Sequence, residues 1–157
     1  MADQQRAVRR VLSIDGGGIR GIIPALVLAH LERQMGAPAS ELFDLIVGTS
    51  TGGILALGLS LQDQQGRSFL AAKRMGGCGT PVMVNSYDIK RRKTVFLKSW
   101  HPEHSELLCA EASRATSAAP TYFEPVILQW AEQSRTLIDG GVFINSPAVS
   151  AYAEACK

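Results

Sequence analysis

Apolar residues enter this chain in short blocks, and glycine separates the blocks. Val11, Leu12 and Ile14 in VRRVLSID read as a strand that the glycines at 16–18 end. Ile22, Ile23, Leu26, Val27 and Leu31 then recur at three- and four-residue spacing, which predicts a helix with one buried face. Pro24 fits only near the start of that helix, and the GAP at 36–38 closes it. DLIVG reads as a second strand. The stretch from Thr51 to Leu61 is apolar on every side, so the helix it predicts is buried. PVMVNSYD and TVFLKS are further strands. SELLCAEASRATSA predicts a helix capped by Ser105 and stopped by Pro120. RTLID is a strand, and NSPAVSAYAEAC is a helix with Ser146 at the N-cap and Pro147 in its first position. Strands alternating with helices imply an α/β fold around a mainly parallel sheet.

Three glycine-marked turns carry the candidate chemistry. IDGGGIRG holds Gly16, Gly18 and Gly21 in the G-x-G-x-x-G spacing, after a strand and before a helix. That is the setting of a dinucleotide-binding loop, although no acidic residue stands at the tip of the next strand. Backbone N–H groups of such a loop attract negative charge, either a phosphate or the oxyanion of an acyl transfer. GTSTG, from Gly48 to Gly52, is G-x-S-x-G on a strand-to-helix turn, the setting of a nucleophile elbow around Ser50. LIDGG places Asp139 before Gly140 and Gly141, again after a strand. All three turns fall at the carboxyl ends of predicted strands, where open α/β sheets build their sites.

A serine nucleophile needs a base. One reading has Asp139 bonded directly to Ser50 and taking its proton. The other is a triad of Ser50, Asp88 and either His101 or His104. The SWHPEH segment, however, reads as an exposed loop with both histidines at the surface. His30 lies within a helix and reads as structural.

Composition narrows the classes. The chain has 157 residues, 46% of them apolar and 19% charged, which suits one globular domain and excludes disorder. A net charge of +2 argues against a nucleic-acid partner. The one basic run, Lys90 to Lys93, reads as a solvated turn between strands. Cys78, Cys109 and Cys156 are an odd number at unrelated spacings, which argues against a disulfide framework or a metal knuckle. The N-terminus lacks the apolar core of a secretory signal. Residues 45–61 are uncharged but broken by glycine and hydroxyl residues, so they do not read as a membrane span. These features predict a cytoplasmic protein.

Taken together, DGGGIRG, GTSTGG, ATSAAPTYF and DGGVFINSP resemble, in order, the sequence blocks of patatin-like phospholipases, over most of residues 11–147. The resemblance implies a three-layer α/β/α fold in a single domain over 1–157. It implies a serine lipid acyl hydrolase with a Ser50–Asp139 dyad, no histidine in the dyad, and no metal or cofactor. The amides of Gly16, Gly17 and Gly18 would form the oxyanion hole. Gly21, Arg20, Gly48, Gly52, Gly140 and Gly141 belong to the same motifs, and SAAPTYFEP would shape the site. The partner implied is a phospholipid or related acyl lipid, with transient contact to a membrane surface left open, as is the oligomeric state. The family has more chain between GTSTGG and PVMVNSYD, near the MGGCGT junction at 75–80, and after 157, so segments are expected to be absent there. Two other functions stay open at this point: a non-catalytic patatin-like fragment or scaffold, and a nucleotide-binding domain using the Gly16–Gly21 loop.

Overall fold

The structure, a computed structural model, describes residues 8–61 and 73–157. In chain order the elements are β1 (Val11–Ile14), α1 (Ile22–Met35), α2 (Ala39–Leu42), β2 (Leu45–Thr49), α3 (Thr51–Ser60), β3 (Val82–Asp88), β4 (Lys93–Lys98), α4 (Pro102–Ser105), α5 (Cys109–Ser117), β5 (Val126–Trp130), β6 (Gln133–Asp139) and α6 (Ala148–Ala155). The α/β class stands. The β strands form one sheet, and alternation along β2 divides its side chains between two cores. Ile46 faces α3 and α5 together with Val82, Val84 and Leu57, while Leu45 and Val47 face α6 with Met83 and Ala151. Lys98 Nζ and Glu154 Oε2, 2.8 Å apart and both largely sheltered, tie α6 to β4. No helix among the described residues is long and apolar enough to cross a membrane.

The parallel part of the sheet is narrower than expected. β1–β2 and β2–β3 are parallel, but β3–β4, β3–β6 and β5–β6 are antiparallel. Tight turns, not helical crossovers, join β3 to β4 and β5 to β6, and a hairpin connection makes its strands antiparallel. The arrangement around β3 decides where the site forms. β4 runs along one edge of β3 from Met83 to Asp88. A strand has only one other edge, and two strands share it. β2 pairs with Val82–Asn85 and β6 with Ser86–Asp88. Because β2 runs parallel to β3 and β6 antiparallel, their carboxyl ends point at each other and meet at the junction of Asn85 and Ser86.

Several local expectations are corrected. The stripe of Ile22, Ile23, Leu26 and Val27 is not buried, each being between 61% and 65% exposed. α1 turns Leu28 inward instead, with Leu31 half-buried on the same side. The helix expected from Ser105 is two helices, because the chain turns after Ser105 and Leu108 is extended, bridging Arg74. Ser105 ends α4, and the α5 N-terminus is tied by Glu111, whose carboxylate accepts the Leu108 N–H at 2.9 Å. α6 starts one residue later than expected, with Pro147 at its cap and no side-chain cap from Ser146. The strand β5 lies in a stretch to which the sequence reading assigned no element. α3 is buried as expected, and residues 89–92 form the exposed turn between β3 and β4. Cys109 is buried and Cys78 half-buried. The proximity of Cys109, with the Ser60 hydroxyl donating to Cys78 Sγ at 3.3 Å, holds the Cys78 pKa down at about 7, while Cys78 and burial push that of Cys109 up.

Candidate active site

Ser50 is the first residue beyond β2 and holds φ 55°, ψ −125°, a combination that side-chain-bearing residues rarely adopt. The glycines around it make that turn sterically possible. A Cβ on Gly48 would overlap the Gly52 carbonyl, and one on Gly52 would overlap the carbonyl of Ile14. The turn aims the side chain away from the core, and Ser50 Oγ donates to Asp139 Oδ2 at 2.7 Å. Asp139 closes β6 and is 6% exposed. Its other oxygen, Oδ1, accepts the Gly141 N–H at 2.7 Å, which fixes the carboxylate plane. Serine and aspartate thus meet because β2 and β6 end head to head on one edge of β3. The sequence reading placed both at one common carboxyl edge, but the antiparallel direction of β6 brings Asp139 in from the opposite side.

The glycine loop after β1 folds over this turn. Thr51 Oγ1 donates to the Gly18 carbonyl at 2.9 Å. Gly16, however, spends its N–H on the Asn145 carbonyl at 3.0 Å, so it is not free to meet an oxyanion. Gly17 and Gly18, the latter at φ 54°, have no such partner among the described hydrogen bonds and border the cleft. Arg20 also lines the cleft, with Nε 3.5 Å from the Gly17 carbonyl. Gly21 packs on Thr51, Gly140 on the Asn85 carbonyl, and Gly141 beside Asp139. The cleft is open, about 960 Å³, and its floor carries Ser50 and Asp139. Its walls are mostly apolar: Ile19, Ile54, Ala119, Pro120, Tyr122, Phe123 and Val142.

The alternative triad is not assembled. Asp88 lies at the far end of β3, where Oδ1 accepts the N–H groups of Lys90 and Arg91 and Oδ2 meets the Arg91 guanidinium at 3.1 Å. His101 and His104 sit in and beside α4, next to Lys98, which pairs with Met83 near the opposite end of β3. His104 is not at the surface. It is buried with its ring edge-on to Trp130, and burial, reinforced by His101, pushes its pKa down to about 4. His101, Glu103 and His104 have metal-ligand spacing. Both imidazole Nδ1 atoms already accept backbone N–H groups, from Glu103 at 3.3 Å and from Lys98 at 3.4 Å. His30 is exposed on α1.

Sequence reading missed the polar residues beneath the dyad. Thr49 Oγ1 donates to Asn85 Oδ1 at 2.6 Å, and Asn85 Nδ2 donates to the Ile144 carbonyl at 2.9 Å. Thr116 Oγ1 donates to the Asn85 carbonyl at 2.7 Å and accepts the Ser50 N–H at 2.9 Å. The available signal was an Asn-Ser pair inside the apolar strand VMVNSYD, since polar side chains buried in a strand need partners.

Comparison with known proteins finds similarity to the patatins. A family model described as patatin-like phospholipase matches residues 12–75, a range that holds the glycine loop and the Ser50 elbow. Patatin-like protein 3 of Arabidopsis thaliana is 29% identical over 222 residues, covering 94% of this chain and 52% of its own length. Patatin-17 of Solanum cardiophyllum is 32% identical over 204 residues, with 94% and 53% covered. Patatin-07 of Solanum tuberosum is 33% identical over 166 residues, with 73% and 43% covered. The chain spans about half the length of the curated relatives it matches.

Proposed function

From the premise that this chain is patatin-like, by its family match at 12–75 and by relatives aligned along most of its length, we propose that it is a lipid acyl hydrolase. Its reaction is hydrolysis of carboxylic esters in phospholipids or related acyl lipids. The observation that carries this reading is the 2.7 Å hydrogen bond from Ser50 Oγ to Asp139 Oδ2 at the floor of an apolar-walled cleft. Ser50 Oγ attacks the ester carbonyl as its proton passes to Asp139. The N–H groups of Gly17 and Gly18 receive the oxyanion, and each such donor is worth roughly 10² to 10³ in rate. Collapse of the tetrahedral intermediate expels the alcohol, which takes the proton from Asp139. Water then attacks the acyl-enzyme, giving its proton to Asp139, and the carboxylic acid leaves as Ser50 regains its proton.

The walls support an acyl chain as the recognised group. Ile19, Tyr122, Phe123 and Val142 are at once cleft residues and strongly exposed, Ile19 at 95%. A rim of this kind can meet the surface of a lipid aggregate and pass an ester inward, which is the form the membrane contact takes in this proposal.

The test is a fluorophosphonate probe read by intact and peptide mass spectrometry, beside turnover of a short-chain ester. The expected result is one adduct, on Ser50, absent in Ser50→Ala. A folded protein with no adduct would refute the hydrolase reading and favour a non-catalytic scaffold.

A further inference from the structure

At the junction where β2 and β6 meet, the edge of β3 changes partners. The last β2–β3 pair is Thr49 with Asn85, and the first β3–β6 pair is Ser86 with Asp139. Between them β2 turns away, so the Ser50 N–H and the Asn85 carbonyl both lose the ladder partner that a continuing strand would supply. Thr116, on α5, stands in the gap. Its hydroxyl is fully buried, accepts the Ser50 N–H at 2.9 Å and donates to the Asn85 carbonyl at 2.7 Å. A hydroxyl has one proton. Once that proton is committed to Asn85, the oxygen can only accept from Ser50, so the polarity of the bridge is fixed. Only glycine fits opposite this side chain, because a Cβ at Gly53 would come within 2.8 Å of the Thr116 methyl and 2.9 Å of its hydroxyl.

We propose that Thr116 is a positioning residue for the nucleophile. Its hydroxyl replaces the missing rung of the ladder and holds the Ser50 backbone in the conformation from which Oγ meets Asp139. The inference rests on Ser50 being the nucleophile. It goes beyond that reading by assigning a role to α5, a helix that contributes no reacting group. Without the bridge the Ser50 N–H and the Asn85 carbonyl are left unpaired in the interior. The strained turn then relaxes toward commoner backbone angles, and Oγ leaves hydrogen-bonding distance of Asp139.

The test compares Thr116→Val, Thr116→Ser and Thr116→Cys with the wild-type chain, measuring kcat, KM and the second-order rate of fluorophosphonate labelling per folded molecule. Valine keeps the shape and removes the bridge. Its kcat and labelling rate should fall together by about tenfold or more, the cost of one buried hydrogen bond realised at the reacting group, with KM nearly unchanged. Serine keeps the hydroxyl and should label near the wild-type rate. Cysteine, a weak acceptor, should fall between. If the valine variant does not fold, the order of serine over cysteine decides the question. Wild-type labelling in Thr116→Val overturns the inference, as does Thr116→Ser impaired as much as Thr116→Val, or cysteine equal to serine. A wild-type chain that forms no Ser50 adduct overturns the function and this inference with it, whereas a labelled wild type beside an unimpaired valine variant overturns the inference alone.

Discussion

Asp139→Asn tests the proposed base with little change of shape. In the native site one carboxylate oxygen accepts the Ser50 hydroxyl proton at 2.7 Å and the other accepts the Gly141 N–H at 2.7 Å. An amide can satisfy Gly141 only by turning its carbonyl oxygen that way. That leaves its NH₂ group facing Ser50 Oγ, donating where the carboxylate accepted. The serine loses both the base and the favourable direction of its hydrogen bond. General-base assistance is worth about 10² to 10⁴ in rate, so kcat should fall by roughly 10³, or about 4 kcal/mol of barrier. The fold should change little, because the Gly141 contact survives. The assay is ester turnover and fluorophosphonate labelling, with thermal unfolding as the control. The substitution places asparagine before Gly140, a step prone to deamidation back to aspartate. Mass spectrometry should therefore confirm each preparation, and Asp139→Ala should accompany it. An intact Asp139→Asn protein within tenfold of wild-type kcat would refute the dyad and reopen the histidine alternative.

Two further predictions test the surrounding architecture. Gly48→Ala would drive a methyl group into the Gly52 carbonyl, backbone against backbone. It should therefore cost at least about 3 kcal/mol in chemical denaturation and prevent labelling at Ser50. His104 has a pKa pushed from 6.5 down to about 4 by burial, so the folded chain keeps it neutral while the unfolded chain takes a proton below pH 6.5. Its contribution is fully present above pH 6.5 and is lost as pH falls toward 4, by at most roughly 2 kcal/mol at pH 5. Urea titrations at pH 7.5 and pH 5 should show this loss in the wild type and not in His104→Gln. An equal slope in both would remove burial of His104 as its source.

The parts of the site that were legible in the sequence were those that backbone geometry imposes. A serine between glycines on a strand-to-helix turn, and an Asp-Gly-Gly after a strand, are local patterns, and the structure places Ser50 and Asp139 in contact. Strand direction was not legible. RTLID has the same composition in a parallel or an antiparallel pairing, and the turn before β6 hid itself. Ala131 and Glu132 both take positive φ there, where glycine or asparagine would have announced a hairpin. β5 was missed for the same reason, although Val126, Leu128 and Trp130 alternate inward. Periodicity correctly gave α1 as a helix but not what would cover it, because an apolar stripe does not name its partner. Thr116 and Asn85 were invisible as a pair because their meaning lies in a contact across 31 positions.

The shared edge of β3 has a consequence for how the molecule opens. Ser50 and Asp139 are 89 residues apart in the chain, and closing a loop of that length costs on the order of 4 kcal/mol of chain entropy. Against that cost β6 is paired to β3 through only three residue pairs, while β5 and β6 share five. The hairpin of β5 and β6 can therefore swing off as a unit, intact within itself, before the parallel strands separate. Amide protons at Leu137 to Asp139 should exchange ahead of those in β2. On the proposed dyad, ester turnover should be lost at a denaturant concentration where far-UV circular dichroism still reports a folded chain, with Asp139 carried away on a hinge and Ser50 still in place.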